Sequence, residues 1–253
     1  MKRIWPPVLA LVIAGMAWEV VRQLASLPPV ILPPLRSVFS EAFAIRDLGH
    51  HLCVTAAEAG MGFLLGNFAA LITAIAIIRW PRLEHAIFPY AIGLKTTPVA
   101  AIAPILLIWL GAGFSYKVAA AASVCFFPIL INGVRGLRSP EQDYLDLFQT
   151  WRAGWWQMLL YLRLPTALPY LFAALKLSSS LALVGAVVAE YIAADAGLGF
   201  LIVVFSRRLD TPELFATIFV CTLLGVASFL LIVFIERLLG RRYKFLIRKG
   251  ELF

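Results

Sequence analysis

Long apolar runs separated by short polar breaks fill most of the chain. Six runs are read as spans, at 5–25, 52–78, 86–110, 117–134, 168–193 and 213–236. Each approaches or exceeds the roughly 20 residues that a helix needs to cross the hydrocarbon core of a bilayer. None alternates with period two, as the strands of a membrane barrel do. The pattern predicts an all-α, polytopic membrane protein with six transmembrane helices.

The breaks carry their own signals. After the first span, "LPPVILPPLRSVFSEAF" pairs prolines that favour extended chain, and a short helix is expected over 37–45. Gly62 and Gly66 in the second span have the small-xxx-small spacing that lets helices approach closely. Pro98 and Pro104 each remove a backbone hydrogen bond, and both are expected to break the third span. The glycines of "GAG" at 111–113 and "AGLGF" at 196–200 mark turns on the outer side. With no soluble domain and no strong tandem repeat, residues 1–253 read as a single transmembrane domain.

Composition agrees with this picture. The chain is 62% hydrophobic and 14% charged, against about 45–50% and about 25% for soluble domains, so the lipid bilayer is its medium. The net charge of +8 would suit a nucleic-acid partner, but its distribution excludes one. Lys2, Arg3, Arg79, Arg82, Arg135, Arg138, Arg152, Arg163, Arg237, Arg241, Arg242, Lys244, Arg248 and Lys249 fall on one face of a six-span topology. Arg22, Arg36, Arg46, Lys117, Arg207 and Arg208 fall on the other. By the positive-inside rule both termini are cytoplasmic, and the first span is read as a retained helix rather than a cleaved leader. Cys53, Cys125 and Cys221 lie in three different spans and read as small buried hydrophobes, with no metal site. There is no G-x-x-x-x-G-K-[ST] phosphate loop, and no nucleophile–base pair or ligand cluster forms around His50, His51 or His85. The chain is therefore not read as an enzyme.

Between the fourth and fifth spans lies "DYLDLFQTWRAGWWQMLLYLRLPTALPY". Tyr144, Leu147, Phe148, Trp151, Trp155, Met158 and Leu162 recur at helical spacing, while Asp143, Asp146, Gln149, Thr150, Arg152 and Gln157 take the opposite side. Two arrangements satisfy this pattern. The helix either rests on lipid headgroups as part of an aromatic belt, or it docks into a groove on a cytoplasmic partner.

These residues resemble the signature of the binding-protein-dependent ABC transporter permeases, Glu-Ala-Ala, three residues, Gly and a later Leu-Pro. Counting back from Leu164-Pro165 puts Asp146 on the acidic position, Leu147 and Phe148 on the alanines and Arg152 on the glycine. Trp151, Ala153 and Gly154 complete the segment, and Gly154 is expected to take over the turn that Arg152 would obstruct. The likeness continues through "LRLPTALPYLFAALKLSSSLALVGAVVAEYIAADAGLGFLI", "TTPVAAIAPILLIWLGAGFSYK" and "FFPILINGVRGLRS". It is nearest to the nitrate/sulfonate/taurine-type permeases and their pyrimidine-precursor and riboflavin relatives. The resemblance implies a type I ABC importer fold, with a cytoplasmic coupling loop at about 135–167. It further implies a second copy of the chain, two ABC ATPase subunits that hold ATP and Mg, and an extracytoplasmic binding protein. No cofactor is expected in the chain itself, and the bacterial inner membrane is its expected location. The rival class is a self-contained secondary transporter driven by an ion gradient, which predicts inverted repeats.

Polar groups inside spans are costly and mark functional candidates. In the fifth span Lys176, Ser179, Ser180, Leu183, Val187 and Glu190 fall near one helical line. That stripe either lines a pathway or carries two charges that snorkel to the interfaces. Glu58 stands where sulfonate and taurine relatives usually carry a basic residue. Lys95 is placed at the cytoplasmic mouth of the third span, as a pathway residue or a headgroup anchor.

Overall fold

The computed structural model describes residues 5–240, so the expected basic residues Lys2, Arg3, Arg241, Arg242, Lys244, Arg248 and Lys249 lie outside it. Among the described residues the chain is helical, without strands. In order it forms α1 (Trp5–Leu24), α2 (Leu35–Ala44), α3 (Leu48–Arg79), α4 (Arg82–Thr96), α5 (Val99–Leu110) and α6 (Phe114–Leu137). Then follow α7 (Gln142–Thr150), α8 (Trp155–Met158), a π-turn (Leu159–Arg163), α9 (Leu164–Ala193), α10 (Leu198–Arg208) and α11 (Thr211–Gly240).

Close approach of small residues builds the centre. Helices α3 and α6 run parallel, with Glu58 beside Lys117, Gly62 beside Ala121 and Ala74 beside Gly133, each pair 59 residues apart. A Cβ on Gly62 would lie 2.4 Å from Ala121 Cβ, and one on Gly66 would lie 2.4 Å from the Ala122 carbonyl oxygen. The spacing read from the sequence is thus the α3–α6 contact. In lipid no hydrophobic force drives helices together, so such tight packing supplies the association. Helix α9 runs antiparallel to α6, pairing Ala189 with Tyr116, Ser178 with Cys125 and Ala167 with Gly136.

Among the described residues four stretches are long and apolar enough to cross a membrane: Leu48–Arg79, Phe114–Leu137, Trp155–Ala193 and Thr211–Leu239. The expected third span is instead α4 and α5, which meet at 105° and make a fifth if the bent pair is one span. The bend sits at Thr97-Pro98. Thr97 is extended (φ −76°, ψ 123°), as a residue before proline must be, and Pro98 starts α5. Pro104, also expected to break the span, lies inside α5, which runs through it. Helix α1 occupies the place of the expected first span as a 20-residue helix and is not among the four.

The proline-rich loop and α2, which matches the short helix expected at 37–45, tie the start of the chain to α11. Trp18 Nε1–H donates to the Pro33 carbonyl at 3.0 Å, and its ring meets Phe215 edge-on at 5.0 Å. Thr211 Oγ1–H reaches the Val30 carbonyl at 2.8 Å, and Phe39 meets Phe219 at 5.3 Å.

Candidate functional site

The polar segment between α6 and α9 is not one amphipathic helix. Helix α7 stops at Thr150 and the chain reverses through Trp151, Arg152 and Ala153. The Ala153 N–H donates to the Phe148 carbonyl at 2.9 Å and the Arg152 N–H to the Gln149 carbonyl at 2.8 Å. These paired bonds make a Schellman motif, whose left-handed position is normally glycine. Arg152 occupies it with φ 50°. The family's glycine position is therefore the turn itself, and an arginine fills it here. The expectation that Gly154 takes over the turn is not met: its φ is −67°, and it starts α8, its N–H donating to Gln157 Oε1 at 2.7 Å.

This break divides the apolar stripe. Tyr144, Leu147 and Trp151 stand 46%, 43% and 69% exposed, and no residue of α7 is buried. Asp146 accepts from Gln142 Nε2 at 2.8 Å on the other side of α7. Trp155 packs against the core, Leu159 is part of it, and Leu162 is also buried. In the π-turn the Leu164 N–H reaches back five residues to the Leu159 carbonyl, so regular helix resumes at Leu164-Pro165. Proline has no N–H to donate, which favours this local change of register.

Arg79 and Arg163 bind this segment to the bundle, and Arg138 ties the end of α6 to α4. The Arg79 guanidinium, at the end of α3, lies 5.6 Å from the Trp155 ring centre and 5.9 Å from that of Trp80. Arg163 donates to the Leu137 carbonyl at 2.8 Å, closing α9 onto the end of α6. Arg138 bonds both carboxylate oxygens of Glu84, at 3.0 and 2.5 Å. These contacts join α8 to α3, the π-turn to the end of α6, and the end of α6 to α4.

At the other end of the bundle the structure brings Glu58 and Glu190 together in one buried polar network. Lys117 Nζ donates to Glu58 Oε1 at 2.6 Å, with the two side chains only 7% and 1% exposed. Thr55 Oγ1–H donates to Glu190 Oε1 at 2.6 Å and accepts the Leu198 N–H at 2.7 Å. Glu190 Oε2 takes the Gly199 N–H, and His51 Nδ1 takes the Gly197 N–H at 3.0 Å. Glu190 occupies the space a Cβ on Gly197 would need, 2.3 Å from its Cδ. "AGLGF" is thus a close-packed junction as well as a turn. Lys117, near the start of α6, is buried in the bundle because Glu58 stands opposite it on α3.

The remaining stripe residues separate. Lys176 pairs with Glu236 of α11 at 2.6 Å. Ser179 is buried and bonds its own Lys176 carbonyl at 2.8 Å. Ser180 lies in a groove of about 680 Å³ between α9 and α11, with Leu183, Val187, Cys221 and Thr222. Lys95 stands over the Phe127 ring, 4.7 Å from its centre. Sequence reasoning missed Thr55, His51, Lys117 and Arg79. The spacing of His51, Thr55 and Glu58 along one helical face was a usable signal for three elements of this network.

The family described as "Binding-protein-dependent transport system inner membrane component" matches residues 62–245. The riboflavin transport system permease protein RibX of Chloroflexus aurantiacus is 36% identical, with 94% of this chain and 91% of that protein covered. The formylaminopyrimidine transport permease protein ThiX of Halalkalibacterium halodurans is 32% identical over 92% of this chain and 94% of that protein. A probable ABC transporter permease protein of Haemophilus influenzae is 32% identical over 86% and 89%. The helical architecture, the Leu-Pro that follows an exposed polar segment and these matches have one consequence: the chain belongs to the family of binding-protein-dependent transport system inner membrane components, the permeases of ABC transporters.

Proposed function

We propose that this chain is the transmembrane permease subunit of an ATP-driven importer, and that α7 is the element through which an ATPase subunit drives it. The observation that carries the reading is a helix with no buried residue and an exposed Tyr144–Leu147–Trp151 face, set at the head of the continuous run into α9. An apolar helix face of this kind is what a groove on a partner recognises. Asp146, Leu147, Phe148, Trp151, Arg152, Ala153 and Gly154 form the docking unit, with Leu164 and Pro165 at its junction to α9.

Two copies of the chain enclose the pathway, each carrying one ATPase subunit that binds ATP and Mg, and a binding protein delivers the solute from outside. Both termini face the cytoplasm. ATP and the loaded binding protein favour different states of the pair, since a ligand shifts only the equilibrium whose states it binds differently. Glu58, Lys95, Lys176, Ser179, Ser180 and Glu190 are the polar candidates along the pathway. A nitrogen-heterocyclic solute fits better than a small anion. Lys117 and Lys176, inside α6 and α9, each already hold a carboxylate, and two of the relatives are named for formylaminopyrimidine and riboflavin transport.

The test is purification of the chain from its native host in mild detergent, with partners counted by mass spectrometry. An ATPase subunit in equal amount, lost from Leu147→Asp and Trp151→Asp variants that remain folded, is the expected result. A chain that carries no ATPase and transports in liposomes under an ion gradient overturns it. ATPase retention by both variants would leave α7 as a helix lying on headgroups.

A further inference from the structure

Three consecutive amides at the start of α10 are each held by a side chain of another helix. Gly197 N–H donates to His51 Nδ1, Leu198 N–H to Thr55 Oγ1 and Gly199 N–H to Glu190 Oε2. Thr55 donates in turn to Glu190 Oε1, which closes the circuit. A helix leaves its first amides without partners of its own, and Gly197, at the N-cap, has no side chain to serve them. The cap therefore comes from α3 and α9, and it doubles as the tie that holds 194–200 against both. His51 and Thr55 reach it together because residues four apart share one face of a helix.

The three acceptors differ chemically. A threonine hydroxyl accepts at any pH, and Glu190 is shut inside the junction, 2% exposed. His51 is only partly buried. An imidazole nitrogen accepts a hydrogen bond only while it carries no proton, and imidazolium donates from both nitrogens. The Phe200 ring stacks on His51 at 5.9 Å and 21°, fixing its plane so that Nδ1 keeps facing Gly197. The charged and titratable groups around the ring are Asp47, just before α3, His50 on α3 and, through Thr55, Glu190 on α9. From α10 it meets uncharged Phe200.

We propose that His51 is a proton-operated release for the segment 194–200. With Nδ1 free of a proton the start of α10 is closed onto α3 and α9. Protonation places an N–H against the Gly197 N–H, the first of the three bonds is lost, and the segment loosens from that end. The bond is present above the titration of the ring and lost as the pH falls through it. This inference rests on the fold alone and is independent of the partner and substrate proposed above.

The test is a nitroxide label on Ala196→Cys, in a chain whose Cys53, Cys125 and Cys221 are replaced, read by electron paramagnetic resonance in lipid nanodiscs. The immobile component is expected at about pH 8 and lost as the pH is lowered and the ring takes up its proton. His51→Gln, whose amide oxygen accepts at either pH, keeps the immobile component throughout. His51→Phe, which keeps the stack but has no acceptor, lacks it throughout. A second label at Met61, on the exposed side of α3, stays unchanged with pH. The proposal is overturned by a spectrum indifferent to pH, by a transition that survives His51→Gln, or by both labels loosening together.

Discussion

Lys117 and Glu58 form a 2.6 Å ion pair between α6 and α3, inside the bundle and away from solvent. Removing one partner of such a pair strands the other charge, at a cost of about 3–5 kcal/mol, whereas replacing both by apolar groups is often near neutral. Lys117→Met alone should therefore lower the thermal unfolding midpoint in detergent strongly. Glu58→Leu combined with Lys117→Met should recover most of the loss. A double variant whose destabilisation is the sum of the two single ones would contradict the pairing.

Two glycines six residues apart on α3 should respond oppositely to alanine. A methyl on Gly66 meets the Ala122 backbone, and forcing the helices apart costs about 1–3 kcal/mol. A methyl on Gly60 meets nothing within 4 Å, so Gly60→Ala should be neutral or stabilise by up to about 1 kcal/mol through helix propensity. Thermal midpoints of the purified variants decide this, and equal losses would remove the α3–α6 contact from the account.

Arg152 sits at a left-handed position that glycine adopts without steric cost. Arg152→Gly should tighten the turn by about 1 kcal/mol, while a β-branched Arg152→Val should open it by more than that. Hydrogen exchange of peptides spanning 148–156 measures both. Faster exchange in the glycine variant would show that the arginine side chain, and not the backbone, holds the turn.

Lys176 and Glu236 tie α9 to α11 across a partly exposed contact. Lys176→Glu places two acids together and should reduce the folded yield, and adding Glu236→Lys should restore it. No rescue by the exchange would mean that each residue acts through another partner.

The cation–π contact of Arg79 with Trp155 links the end of α3 to α8. Exposed contacts of this type are worth about 0.5–1 kcal/mol, so Arg79→Gln should leave the thermal midpoint within a few degrees. Exchange at 154–158 should nonetheless rise. Unchanged exchange would detach α3 from the segment.

The membrane class, the helical architecture, a close-approach face at Gly62 and Gly66, the short helix after the prolines and the family were all legible from the order of residues. These features depend on local or single-helix properties: span length, the lost N–H of proline, the missing Cβ of glycine, and motif spacing. The bend of α4 against α5 followed Pro98, yet Pro104 did not break its helix, because proline removes one bond and the neighbouring helices decide whether the axis turns. Helical periodicity ran unbroken through Arg152, since periodicity reports which face is apolar and not where the backbone reverses. The network of His51, Thr55, Glu58, Lys117, Glu190 and Gly197 joins residues as far as 146 positions apart. The sequence did not pair them: a buried charge is tolerable only with a partner, and only the packing of α3, α6 and α9 chooses that partner.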